Sequence, residues 1–271
     1  MSFGRKCLLA LASLPAAVFA QQPTITWMMA DTPPFHIGDG PLRDQGIRDL
    51  QRQFLQHALP QFAHRTVIAS VTRNWYDMQR NDGVCIVGVV HLPERDAFAS
   101  FSARGGPPLG SAELIVKKSR LEGFKDVLAA DHSVDLKSLA QAGRLTGGYQ
   151  SSRTYSSDVL GLIADRGRAL HLEPVIGVPQ LFSLLDADRL DFVLAKPIEA
   201  AYFKHANDYA VLRIRDGRAA LPTYIACSKG PIGTAAIAAI DTLLRDDANW
   251  NYFVGIAEKW ADNRLSAHLA E

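Results

Sequence analysis

The stretch Asp82-Gly-Val-Cys-Ile-Val-Gly-Val-Val90, continued by His91-Leu-Pro-Glu-Arg-Asp-Ala-Phe-Ala-Ser-Phe-Ser102, decides how the rest of the chain is read. Its first half is a short apolar run of the kind that forms a buried strand. Outward from it, such runs alternate with helical patterns, the signature of an α/β chain with largely parallel sheets. Strands are expected at about 24 to 30, 65 to 71, 84 to 90, 111 to 117, 144 to 149, 171 to 176, 191 to 195, 209 to 215 and 223 to 228. The first clear helix spans about 47 to 58, where Ile47, Leu50, Phe54 and Ala58 share one apolar face and Pro60 closes it. Later helices are expected at about 154 to 167, 178 to 187, 197 to 206, 231 to 246 and 250 to 264. Two segments break the pattern, Ser102-Ala-Arg-Gly-Gly-Pro-Pro-Leu109 and Asp216-Gly-Arg-Ala-Ala-Leu-Pro222, and both are candidate crossings between domains.

The chain opens with Arg5-Lys6, an apolar run from Cys7 to Phe19 and Val18-Phe19-Ala20 before Gln21, the order of a secretory signal peptide cleaved after Ala20. The run is too short to span a bilayer, and Pro15 interrupts it. Cys7 precedes most of the run and would leave with the peptide, so a lipid anchor is not expected. Without residues 1 to 20 there remain 27 basic and 28 acidic residues, a balance that implies neither a nucleic-acid nor a membrane surface. The 48 % apolar content is enough for one large core or two smaller ones.

Cys85 and Cys227 both lie in apolar strand-like runs. An oxidising compartment permits a disulfide, but strand-borne cysteines this far apart in sequence read as buried apolar residues, and two free thiols are expected. The sequence lacks the glycine-rich nucleotide motifs, the Gly-x-Ser-x-Gly elbow, His-Glu-x-x-His and Cys-x-x-Cys. Its eight histidines are scattered singly. No catalytic nucleophile, metal site or cofactor is therefore assigned.

An ordered series of segments resembles the periplasmic solute-binding proteins of the polar amino-acid type, in a divergent form. Ile25-Thr-Trp-Met-Met-Ala-Asp-Thr-Pro-Pro-Phe35 is similar to their opening strand and the turn whose aromatic lines a cleft, and Gly46-Ile-Arg-Asp-Leu50 follows at the first helix. Trp75 leads to Asn81-Asp-Gly-Val84, and Pro93-Glu-Arg-Asp-Ala-Phe-Ala-Ser-Phe-Ser102 is the strongest match. Gly148-Tyr-Gln-Ser-Ser-Arg-Thr-Tyr155 resembles the turn that presents backbone N–H groups to the ligand, and Leu181–Leu194 and Ile256–Trp260 match later elements.

The resemblance implies the type II fold, two α/β lobes joined by a hinge around a ligand cleft. Placed on this chain it gives a first lobe of residues 21–108 and 223–271, the latter being its return segment and C-terminal helices, and a second lobe of residues 109–222. Arg95 inherits the role of holding a ligand carboxylate, which a guanidinium fork does with two parallel charge-assisted hydrogen bonds. Phe35, Asp31, Trp75, His91, Ser152, Arg153, Thr154 and Lys196 complete the expected binding set, and His36 is a further candidate.

Three departures alter the expected ligand. Lys196 stands where amino-acid binders commonly carry an acid that pairs the ligand ammonium, and two cations repel. Arg153 replaces a small or hydroxyl residue beside Thr154, and Leu92 replaces the usual threonine before the arginine. If Arg95, Arg153 and Lys196 all face the cleft, the ligand carries more than one negative charge, as a dicarboxylate or a phosphorylated compound does. Alternatively Glu199, one helical step from Lys196, neutralises that lysine.

The function implied is capture of a small ligand, an amino acid, dicarboxylate or other organic anion, by hinge closure in the periplasm. An inner-membrane transporter of the ABC type or a sensor would receive the closed form. A sensory or adaptor protein with a degenerate cleft is a second reading. A dehydratase-like enzyme on the same scaffold is a third, with Asp31, His36, His91 and Glu199 as its proton-transfer candidates.

Overall fold

Two five-stranded sheets organise the chain, and the apolar runs supply nearly all their strands. The computed structural model describes residues 22–108, 110–151, 153–164, 170–203, 209–215 and 221–260. The expected signal segment, Ser152 and the end of the expected last helix lie outside them.

In chain order the elements are β1 (Thr24–Met29), α1 (Ile47–Ala58), β2 (Ala63–Ile68), α2 (Val71–Arg80), β3 (Val84–Val90), β4 (Ala99–Phe101), β5 (Glu113–Lys117), α3 (Leu136–Ala142), β6 (Thr146–Gln150), α4 (Ser157–Ala164), β7 (His171–Val175), α5 (Val178–Asp186), β8 (Phe192–Ala195), α6 (Pro197–Tyr202), β9 (Tyr209–Leu212), β10 (Thr223–Ser228), α7 (Pro231–Arg245) and α8 (Asp247–Trp260). Short 3-10 segments cover Pro93–Arg95 and Lys118–Val127. The sequence reading missed β4, α3 and the longer 3-10 segment. It gave no range for α2, in the middle of which Trp75 sits.

The first sheet runs β2-β1-β3-β10-β4 and the second β7-β6-β8-β5-β9. The two share one plan, with three parallel strands followed by two antiparallel pairings. The expectation of largely parallel sheets is thus corrected to mixed ones. β10 in the first sheet and β5 in the second run against the three parallel strands, while the edge strands β4 and β9 run with them. The crossings themselves run side by side, with Gly106 and Thr223 exchanging both backbone hydrogen bonds at 2.7 and 3.2 Å.

Each sheet has its own core. Ile25, Trp27, Leu55, Ile225, Ile240 and Phe253 pack on one side of the first, and Leu114, Phe124, Leu139, Phe192 and Leu194 on one side of the second. A further cluster joins the lobes: Ile198 and Tyr202 of α6 pack against Phe35, Ile37, Ile47 and Trp260.

The expectation of two free thiols is overturned. β10 pairs antiparallel with β3 in a register that sets Cys227 opposite Cys85, with Cα atoms 4.1 Å apart, and the two form a disulfide. Distance along the chain hid this contact, because β10 returns to the first sheet only after the whole second sheet has been built. A Cα separation this short is that of a non-hydrogen-bonded antiparallel pair, whose side chains face one another.

α1 also departs from its expected pattern. Ile47 is buried and Leu50 and Phe54 partly so, but Arg48, Asp49, Gln51 and Arg52 are buried as well. Asp49 accepts from the Ile37 and Gly46 N–H groups, Gln51 donates to Phe253 O of α8, Arg52 donates to Thr66 Oγ1 of β2, and Arg48 lines a cleft described below.

Candidate ligand cleft

The C-terminal end of β3 and the loops beyond β1 and β6 converge between the lobes. Together with α2 and the start of α6 they enclose a cleft of about 200 Å³. Phe35, Trp75 and Arg95 line it from the first lobe, and Arg153, Thr154 and Lys196 from the second, so most of the expected residues do meet around one space. A neighbouring compartment of about 190 Å³ shares Arg153, Thr154 and Lys196 as a wall.

Arg95 follows β3 in the Pro93–Arg95 turn, where Pro93 starts the turn and directs the chain back under the strand end. Its Nη1 donates to Val90 O at 2.7 Å, its Nη2 donates to Thr154 Oγ1 of the other lobe at 3.3 Å, and its guanidinium lies over the Trp75 ring at 4.1 Å. Burial lowers the guanidinium's pKa from its ordinary value, and Glu94 offsets part of this. Stacking on Trp75 fixes the plane of the fork, and the contact to Thr154 links the lobes.

The second lobe presents a buried ion pair. Arg153 Nη1 donates to Glu199 Oε2 at 2.9 Å while Nη2 donates to Oε1. Glu199 is 0 % exposed, and it also accepts from the backbone N–H of Lys196 at 2.8 Å, capping α6. Glu199 therefore takes up the charge of Arg153 with both carboxylate oxygens, rather than standing with Lys196 alone. Tyr155, which follows Thr154, is held by Gln150 N–H donating to its hydroxyl at 2.9 Å, and burial pushes its pKa up to about 12.

No protein-family model and no curated protein sequence matches the chain. Solved structures do. ArgBP from T. maritima, in a mutant form, superposes with a TM-score of 0.65 at 17 % identity over 89 % of this chain and 96 % of that one. An amino acid ABC transporter substrate-binding protein from Streptococcus pneumoniae, bound to L-arginine, gives 0.61 at 18 % over 86 % and 93 %. The periplasmic VFT2 domain of Bordetella pertussis BvgS gives 0.59 at 15 % over 86 % and 92 %. The chain has the type II periplasmic binding protein fold.

Within this binding-protein fold, Lys196 stands at the join between β8 and α6. Its Nζ donates to Gly110 O at 2.7 Å and lies 5.6 Å from the centroid of the Phe35 ring across the cleft. Burial, then the charge of Arg153, lower its pKa to about 8.

Two expected residues are not gathered at the cleft. Asp31 is exposed and accepts from Gly38 N–H at 3.0 Å. His91 is exposed, pairs Asp96 at 2.7 Å and stacks on Phe101. Ser152 lies outside the described residues. His36 does reach the lining, but its Nδ1 is 3.0 Å from the buried Asp49, and burial lowers its pKa. The sequence reading passed over Arg48, Gln150 and Thr32, which also line the cleft. Arg48 had a legible signal, as a cation on the helix that directly follows the Pro-Pro-Phe turn.

Proposed function

We propose that this protein is an extracytoplasmic solute-binding protein whose lobes, residues 21–108 with 223–271 and residues 109–222, close on a small carboxylate-bearing anion. The arrangement of Arg95 carries this reading. A guanidinium pre-oriented on Trp75, with N–H donors to spare and a contact to Thr154 across the cleft, is built to accept a carboxylate and to hold the lobes shut around it. The four groups that an enzyme on this scaffold would use for proton transfer are engaged or displaced: His36 by Asp49, Glu199 by Arg153, His91 by Asp96, and Asp31 at the surface. That favours binding over turnover.

Delivery of the closed form to an ABC transporter accords with the likeness to the streptococcal protein. Thermal unfolding against amino acids, dicarboxylates, phosphorylated metabolites and aromatic acids tests the reading. A ligand at 100 times its Kd adds about 2.7 kcal/mol of stability. Arg95→Ala should weaken the binding of any ligand found by about 100-fold, as expected when one partner of a desolvated charge pair is removed. No stabilisation by any anion in the panel would sink the proposal.

Lys196 adds a pH signature. In the empty cleft it is protonated below about pH 8, and an anion raises its pKa again, so binding above pH 8 takes up a proton. Affinity for the anion should therefore be level between pH 6 and 7.5 and fall by up to about ten-fold per unit above 8. Isothermal titration in buffers of different ionisation enthalpy measures the proton uptake, which Lys196→Met should abolish.

A further inference from the structure

Arg48 is a cation that the reading above does not use. It stands in the first turn of α1, is 6 % exposed and still forms part of the cleft lining. Its Nη1 donates to Gln51 Oε1 and its Nη2 to Thr223 Oγ1, both at 2.8 Å. Both acceptors are neutral, and among the described residues no carboxylate forms an ion pair with it. Burial lowers its pKa to about 10, and no acid is among the causes that act on it. A guanidinium has five N–H donors, so two contacts leave most of the fork unspent.

β3 is modified to let this side chain through. The register between β3 and β10 slips between the Val87–Ile225 and Val89–Tyr224 pairs, which makes Gly88 the extra residue of a β-bulge, with φ at +79°. A Cβ at Gly88 would lie 2.0 Å from Arg48 Nε and 2.3 Å from its Cζ. Glycine is thus required twice at this position, for its backbone conformation and for the space that the guanidinium fills. A surface arginine needs no such gap in a central strand.

The charges in the cleft do not cancel. Glu199 answers Arg153, and in the first lobe neither Arg48 nor Arg95 is matched by an acid in an ion pair among the described residues. Burying an unmatched guanidinium is costly, and an anionic ligand removes that cost on binding. Arg95 is anchored at Val90 O and Arg48 lies at Gly88, two residues earlier on the same strand, so their two contact points on β3 are about 7 Å apart along the strand.

We propose that Arg48, reaching the cleft past Gly88, is a second anion-recognition residue, and that the ligand is a small dianion with its charged groups at opposite ends, of the class of short linear dicarboxylates, and not a zwitterionic amino acid. This rests on the reading of Arg95 as the first carboxylate site. The contact to Thr223 places the second site beside the crossing between the lobes, where an anion would also favour closure.

The test is titration calorimetry of the purified protein with succinate, glutarate and adipate, each against its monoamide. One diacid should bind at least about ten-fold more tightly than its monoamide. Arg48→Met should bring that ratio near one while leaving monoamide affinity within about three-fold, and Arg48→Lys should retain part of the preference. Lys196→Met should weaken diacid and monoamide alike and keep the ratio, which supports Arg48 even where Arg48→Met does not fold. A wild-type ratio near one, or a ratio unchanged in folded Arg48→Met, overturns the inference. In either case binding that still depends on Arg95 leaves the broader function standing, whereas binding indifferent to Arg95→Ala removes both.

Discussion

Reduction of the Cys85–Cys227 disulfide should lower the melting temperature by about 10 to 20 °C. The bridge joins neighbouring strands of one sheet, but the residues it ties are 142 apart in sequence, and the chain between them builds the entire second sheet. In the unfolded chain the link closes a very long loop, and the loop-entropy relation puts its stabilisation near the top of the usual range, about 5 kcal/mol. For a chain of this size each kcal/mol corresponds to about 2 to 4 °C. Calorimetric melts with and without dithiothreitol measure the effect. A Cys85→Ala/Cys227→Ala variant should melt at the reduced temperature and be indifferent to reductant. Equal melting temperatures for oxidised and reduced protein would mean that the two cysteines contribute only as apolar core.

Glu199→Leu should cost about 3 to 5 kcal/mol in urea unfolding, because it leaves Arg153 buried without its counter-charge. The same change removes the acceptor for the Lys196 N–H at the start of α6. Arg153→Met should cost a similar amount by stranding a carboxylate that is 0 % exposed. The double variant Arg153→Met/Glu199→Leu should recover most of the loss, since apolar side chains of similar volume commonly replace a buried pair at little net cost. A coupling of at least about 2 kcal/mol across this cycle is the expected result. Additive losses would show that the two side chains act independently and that the pair is not the support of the second-lobe wall.

Much of the architecture was legible in the sequence because strands and helices bury apolar side chains at fixed periods. The runs at Ile25–Met29, Val84–Val90, Leu114–Val116 and Phe192–Ala195 all became strands close to where periodicity put them. β4 escaped notice because it is three residues long, shorter than any period can register, and α3 because only Leu139 of it is fully buried. The cleft was half legible. Phe35, Trp75, Arg95, Arg153, Thr154 and Lys196 do line one space, yet Asp31 and His91 point elsewhere.

What the sequence determined by itself was local: the order of most strands and helices, and the two breaks where the chain changes sheet. Each of these follows from side chains a few residues apart. Only the tertiary structure decided the pairings, because they join residues brought together by the return of β10 and by the approach of the lobes. Cys227 meets Cys85, Glu199 rather than the ligand takes the charge of Arg153, and Arg48 enters the cleft through the gap at Gly88. Charge in a folded protein is assigned by burial and proximity, and these are properties of the assembled lobes, not of spacing along the chain.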